Sequence, residues 1–338
     1  MMNIHFNDFL PVIFMALMGL AMLIYVVLDG FDLGVGILLN GVDEDHKDMM
    51  IASIGPFWDA NETWLVLGVG ILLVAFPMAH GVILGALYLP VALMLVGLTL
   101  RGVAFDFRVK AKAHHKPWWD FAFFAGSLLT SFSQGGMLGY YITGFADGWL
   151  PILFAVFTGM CLVSGYMLLG ACWLIIKAED DLQDYALSWA RRALWLTGLG
   201  VAALSVVTPF VSQRIFDKWF SFPNILLLAP IPLITVALFV VADRILVHLK
   251  RNPLSRPKWH WLPFASIVGI FVMAFHGLAY SLFPYLVVDR ITIWQAASAP
   301  ESLKFMLVGI VIVLPTILGY TIYSYRVFSG KVKALSYY

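Results

Sequence analysis

Three short stretches of this chain hold ionisable side chains at spacings that could carry proton chemistry. Asp29 and Asp32 close one apolar run in Leu28-Asp-Gly-Phe-Asp-Leu-Gly-Val-Gly36. Asp59, Asn61 and Glu62 open the next, in Gly55-Pro-Phe-Trp-Asp-Ala-Asn-Glu-Thr-Trp64. Arg101, Asp106 and Arg108 end a third in Arg101-Gly-Val-Ala-Phe-Asp-Phe-Arg108. Asp29 and Asp32 are three apart and so share a helical face. At a helix C-terminus the dipole disfavours carboxylates, so Arg101 or a proton must compensate them. Asp59 and Glu62 stand near a helix N-terminus, which favours them, and Pro56 fits a first turn. Ionisable groups at membrane depth are costly and are functional suspects for that reason. Two roles fit the spacing equally: a salt-bridge network that orients three helices, or carboxylates that relay protons inward.

The elements that must position these groups are transmembrane helices. The composition is 61% hydrophobic and 12% charged, too few charges to cover a water-soluble surface. Apolar runs of about 20 residues, the length that crosses roughly 30 Å of hydrocarbon, recur near 9–28, 56–76, 80–100, 119–143, 151–176, 192–212, 224–247, 261–286 and 304–328. The runs are continuous rather than alternating, which selects helices over a β-barrel. An odd helix ends and an even helix begins on the same side, so all three acidic or basic stretches fall in one layer. Of the 21 Lys and Arg residues, only Arg214, Lys218, Arg290 and Lys304 fall on the opposite side. Basic residues concentrate in cytoplasmic loops, so the asymmetry predicts nine spans, with the N-terminus outside and the C-terminus in the cytoplasm; eight or ten spans fit worse. No Lys or Arg precedes Lys47, so the first run is expected to stay as an anchor. Trp118, Trp119, Trp149, Trp259, Trp261, Tyr337 and Tyr338 suit interfacial belts. The pairs Gly30/Gly34, Gly81/Gly85 and Gly135/Gly139 would let helices approach closely, though chance produces such pairs in a chain with 28 glycines. No internal repeat or linker divides residues 1–338, which read as a single polytopic membrane domain.

Other chemistries find little support. Cys161 and Cys172 lie eleven residues apart in one helical run, too far for a disulfide, and read as buried apolar residues. Neither a haem-attachment CxxCH nor a zinc-type Cys/His spacing is present. His276 alone lies deep in a run; His5, His46, His114, His115, His248 and His260 fall in loops or at run ends, and His80 at a short turn. One deep histidine is a poor basis for intramembrane haem, and His276 reads as a hydrogen-bonded packing residue. The Met residues read as core filler. No P-loop, nucleophile elbow or HExxH occurs, and no basic stripe suggests nucleic acid.

On the three stretches quoted above, with Gly277-Leu-Ala-Tyr-Ser-Leu-Phe-Pro284 and Thr292-Ile-Trp-Gln-Ala-Ala-Ser298, the chain resembles subunit II of the cytochrome bd family, in particular its cyanide-insensitive quinol oxidase branch. The motifs run in order over essentially the full chain. The resemblance implies two four-helix bundles plus a peripheral ninth helix, in a bacterial cytoplasmic (inner) membrane. It implies a heterodimer with a haem-bearing subunit I, which carries the quinol site, two b-type haems and one d-type haem, or a b-type haem in its place. This chain would bind none of them directly and hold no metal. The complex would oxidise quinol near the periplasmic face and reduce dioxygen to water with cytoplasmic protons, building a gradient without pumping. Small single-helix subunits and a structural quinone are further partners that the resemblance allows. By the same resemblance, Asp29 and Asp59 belong to a cytoplasmic proton path and Arg101 lies near it. Asp32, Trp58, Asn61, Glu62 and Asp106 are expected to make supporting polar contacts. Two rival functions are a secondary transporter, which would place polar residues and broken helices at the midplane, and a membrane scaffold whose acidic cluster is purely structural.

Overall fold

Hydrocarbon offers the backbone no water to bond, and this sequence satisfies its N–H and C=O groups almost entirely within helices. The computed structural model describes residues 6–332; His5, Lys333, Tyr337 and Tyr338 lie outside the described residues. Helix α1 spans Phe6–Leu38, α2 Glu44–Ile54, α3 Trp58–Ala75, α4 Pro77–Ala86, α5 Tyr88–Lys110, α6 Lys116–Ile142, α7 Trp149–Lys177 and α8 Asp180–Val211. There follow α9 Gln213–Phe220, α10 Asn224–Leu228, α11 Pro230–Arg251, α12 Arg256–Trp259 and α13 Leu262–Leu282. A small antiparallel hairpin, β1 Tyr285–Val287 and β2 Ile291–Thr292, leads through α14 Ile293–Ala296 to α15 Pro300–Val327.

Eight of the described helical segments are long and apolar enough to cross a membrane. The remaining apolar run of the sequence is α6, which is 27 residues long but dilutes its apolar content with Ser127, Thr130, Ser131, Ser133 and Gln134. All but Gln134 of these are buried against neighbouring helices.

Two helices run further than the apolar runs predict. The first run ends at Leu28 in the sequence, yet α1 continues to Leu38, with every residue from Asp29 to Leu39 buried. The reason is contact with α7: a Cβ on Gly34 would lie 1.8 Å from the Tyr166 carbonyl oxygen, and one on Gly170 would lie 2.4 Å from the Gly34 carbonyl carbon. The two backbones touch there, and only glycine fits on either side. Likewise α5 carries on through Arg101 to Lys110, seated on α6 where Gly97 and Gly126 meet. Of the three small-residue pairs read from the sequence, Gly30/Gly34 and Gly135/Gly139 sit at such contacts, whereas Gly81/Gly85 face open space.

Helix α1 is the axis of the assembly, flanked by α3, α6 and α7; α5 packs on α6, and α7 leads to α8, α11 and α13. Helix α15 lies outside, laying Leu314, Ile317 and Leu318 against Ala21, Tyr25 and Trp64. The end of the bundle where α1 and α5 finish and α2 lies across is the charged end. Its core is built on Phe31, Leu33, Ile51, Phe57, Leu168, Trp173 and Leu174. At the opposite end, Arg214 pairs with Asp289 at 2.8 Å and Lys218 donates to the Tyr280 carbonyl at 2.7 Å, so α9 is fastened to the end of α13. Trp118, Trp149 and Trp261 are exposed, while Trp119 is half-buried and stacks on Phe107. Both cysteines are free thiols.

Candidate functional site: a buried cluster of acids around Arg101

Helix α1 presents Asp29 and Asp32 on one face, α3 presents Asn61 and Glu62, and α5 presents Arg101. Asp29 and Asp32 are completely buried and Arg101 is 1% exposed. Arg101 Nη2 stands 2.7 Å from Asp29 Oδ1 and also donates to Glu62 Oε1. Asn61 Nδ2 donates to Asp32 Oδ2 at 2.7 Å, and the Tyr325 hydroxyl of α15 donates to Asn61 Oδ1 at 3.1 Å. The two aspartates are mid-helix, since α1 runs nine residues past Asp29. The expected dipole penalty at a helix C-terminus therefore does not apply, and it is Arg101 that faces them. The Trp58 ring adds a cation–π contact, 5.9 Å from the guanidinium carbon, of a kind worth about 0.5–2 kcal/mol.

The cluster is not fully satisfied. The Asp29–Arg101 pair is close but not aligned as a hydrogen bond, and the Tyr25 hydroxyl, one turn earlier on α1, is the donor within reach of Asp29. Asp32 Oδ1, Arg101 Nε and Arg101 Nη1 are buried without a partner in the chain. Leaving such an atom unmet costs about 1–3 kcal/mol, and ordered water is the usual remedy where the site is polar. Three carboxyls also face one guanidinium. Fully ionised, the group carries surplus negative charge in a poorly solvated place.

A polar chain extends from this cluster into the bundle. Tyr166 on α7 donates its hydroxyl to Gln134 Oε1 at 2.7 Å, and Gln134 Nε2 donates to the Tyr25 hydroxyl at 2.6 Å. Tyr25 lies one turn before Asp29 on α1. These residues come from three distant apolar runs, and the one sequence signal was a lone amide, Gln134, inside a membrane run.

A second arginine cluster occupies the rim. Arg108 donates to Asp120 and Asp48 and reaches Glu44 at 3.3 Å, while Lys47 bridges Glu44 at 2.8 Å and Asp120 at 3.0 Å. Lys116 adds a 3.3 Å contact to Asp48. Burial works to raise the Asp48 carboxyl, but the hydrogen bond and charge of Arg108 outweigh it and hold Asp48 below its usual range. Lys47 is held above its usual range, since its bonds to Glu44 and Asp120 outweigh its burial.

A family model described as cytochrome bd terminal oxidase subunit II matches residues 10–328. The chain belongs to this family. Among its relatives is the cytochrome bd ubiquinol oxidase subunit 2 of Bacillus subtilis (strain 168), 27% identical, with 91% of this chain and 92% of the relative covered. Another is the cytochrome bd-I ubiquinol oxidase subunit 2 of Escherichia coli (strain K12), 25% identical, with 96% of each covered. The fold is shared with a chain of the bd oxidase from Geobacillus thermodenitrificans, at a TM-score of 0.77 and 19% identity over 94% of this chain and 98% of that one. As a bd subunit II, the protein is a multi-pass membrane component of a respiratory terminal quinol oxidase.

Of the residues singled out in this subunit II sequence, the structure brings Asp29, Asp32, Asn61, Glu62 and Arg101 together, with Trp58 beside them. Asp59 and Asp106 do not join. Both are exposed on the outer surfaces of α3 and α5, and Glu62, with its side chain 27% exposed, links the interior to that surface. Tyr25, Gln134, Tyr166, Tyr325 and the Asp120 group escaped sequence reasoning. His276 is not packed inside: it is exposed on α13 with Nδ1 2.7 Å from its own Val272 carbonyl oxygen. Among the described residues, no group of three or more His, Cys, Asp or Glu side chains is placed to hold a metal ion.

Proposed function

We propose that the chain is subunit II of a heterodimeric bd-type oxidase, supporting a haem-bearing subunit I and carrying part of the path by which cytoplasmic protons reach it. The observation that carries this reading is the Arg101 cluster, in which Asp32 Oδ1 is buried without a protein donor and the acids outnumber the cation. Asp29 holds a proton-exchanging position against Arg101, Glu62 leads to the surface of α3, and Asp59 on that surface faces subunit I. An exposed carboxylate at membrane depth is unfavourable against lipid, which supports a polar partner there. In this arrangement α6 is a ninth span, the polar content of which is tolerated because it is buried between α5 and α7. The N-terminus is periplasmic, the charged end is cytoplasmic and the membrane is the bacterial inner membrane, in line with the concentration of Lys and Arg at that end. The haems and the quinol site belong to subunit I, where quinol is oxidised and dioxygen reduced to water. The whole chain acts as one polytopic domain.

Asp59→Asn in the assembled complex tests the path cleanly, because Asp59 is not a member of the buried Asp29–Arg101–Glu62 pairs. Oxygen consumption with quinol should fall about tenfold or more, the loss expected when a proton-transfer group is removed, with b- and d-type haem bands intact. Unchanged turnover would overturn the relay. Loss of the haem bands would instead make the residue part of a structural scaffold.

A further inference from the structure

Beside Asp32, in the core of the charged end, lies a layer of aromatic rings. Phe31 stacks on Trp173 with centroids 4.2 Å apart, Phe57 meets Trp173 edge-on at 5.6 Å, and Tyr325 stacks on Phe57 at 4.4 Å. Phe31, Phe57 and Trp173 are buried, on α1, ahead of α3 and on α7. Tyr325 is different in two ways. It comes from α15, the least buried of the eight candidate spans, and its hydroxyl points through the layer to Asn61 Oδ1.

The chain that follows Tyr325 is pinned over the same spot. Lys177 Nζ donates to the Phe328 carbonyl at 2.6 Å and lies 5.3 Å and 5.1 Å from the Phe57 and Trp173 ring centres. The Val332 N–H donates to the Lys177 carbonyl at 2.8 Å, and Lys331 Nζ to the Ala178 carbonyl at 2.7 Å. Lys331 and the Val332 N–H thus meet carbonyls at the C-terminus of α7, Lys177 meets one just past the C-terminus of α15, and together they hold the last turn of α15 across the end of the bundle.

A carboxamide at neutral pH neither releases nor binds a proton readily, so Tyr325–Asn61–Asp32 orients the carboxyl and does not relay. A proton bound for Asp32 must reach its free oxygen, Oδ1, by way of water. With Tyr325 seated, Asp32 is fully buried.

We propose that Tyr325 is a positioning residue for Asp32 and the removable member of the ring layer: seated, it fixes Asp32 through Asn61 and shuts off the cytoplasm, and when the last turn of α15 lifts, water reaches Asp32 Oδ1. The inference rests on the proton-path reading for its purpose, but not for its test. In the intact purified complex, a water-soluble carbodiimide with glycine amide as nucleophile labels reachable carboxyls, read by peptide mass spectrometry at Asp32. The wild type should be nearly unlabelled and Tyr325→Ala labelled severalfold more. Tyr325→Phe, which keeps the ring, should restore the low level yet displace the pH profile of oxygen consumption, since Asn61 has lost its donor. Lys331→Ala, outside the span, frees the tail and should give intermediate labelling even if Tyr325→Ala fails to assemble. Tyr323→Ala, on the exposed face of the same helix, should change nothing. Asp32 as unreactive in both Tyr325→Ala and Lys331→Ala as in the wild type, or as reactive in Tyr323→Ala, would overturn the proposal. If Asp59→Asn leaves turnover unchanged while the labelling pattern holds, the access route stands and the path reading alone falls.

Discussion

Two arginines on one face of α5, seven residues and so two turns apart, gather acids in opposite ways. Around Arg108 the charges match: Arg108, Lys47 and Lys116 meet Glu44, Asp48 and Asp120, and each cation has a partner in reach. Around Arg101 one cation meets Asp29, Asp32 and Glu62, and Asp32 Oδ1, Arg101 Nε and Arg101 Nη1 go without a hydrogen bond. A balanced network is a clamp; it gains nothing by taking up a proton. An unbalanced one, out of water, has somewhere for a proton to bind and a reason to hold it. The same residue types thus give a fastening at the rim and, on the proposed proton-path reading, a reactive site two turns deeper.

Substitutions can break or sharpen this contrast. The largest effect is expected from Arg101→Met, which strands Asp29 and Glu62; removing one partner of a buried pair costs about 3–5 kcal/mol. The complex should accumulate poorly or unfold at a clearly lower temperature in a thermal melt, with turnover lost. Asp29→Asn keeps the shape and leaves Arg101 its Glu62 partner, so haem content should survive while oxygen consumption drops about tenfold or more. Arg108→Gln should do the reverse: stability falls by roughly 1–3 kcal/mol, and turnover per haem stays at the wild-type level. If Arg108→Gln slowed turnover as much as Asp29→Asn, the distinction between clamp and reactive site would collapse. The smallest effect is on acidification. Asp48 is held below its usual value in the folded protein, so its contribution is present above about pH 4, the unfolded value, and is lost as pH falls through the folded one. Its side chain is half-exposed, so the loss should stay below about 1 kcal/mol, visible as a slight drop in melting temperature below pH 4 that Asp48→Asn abolishes.

Much of this was legible in the sequence. Apolar runs gave the membrane helices, because length and hydropathy alone decide what crosses a bilayer. The charged motifs gave Asp29, Asp32, Asn61, Glu62 and Arg101, because acids three apart share a face and parity put the three stretches in one layer. The length of α1 was not legible. Asp29-Gly30 looks like a helix end, and only the contact with α7 explains why the helix continues. Nor could spacing reveal which face of α3 looks inward, so Asp59 was grouped with Asn61 and Glu62 although it points away. Asp120 carried no signal, because its partners Arg108 and Lys47 come from α5 and α2 and meet it only in the folded chain. Tyr325 is 264 residues from Asn61, and no local pattern links an interfacial tyrosine on the last helix to an amide on the second membrane run.

The crossing of α1 and α7 has a consequence for the acids beside it. Gly34 lies two positions beyond Asp32, and at Gly34 and Gly170 there is not room for a single methyl group. A lone alanine at either place would wedge the helices apart and draw both aspartates off the guanidinium they face. The tuning of the charge site is therefore written partly in residues with no charge and no side chain, and the pH response of the oxidase should be sensitive to atoms that never touch a proton.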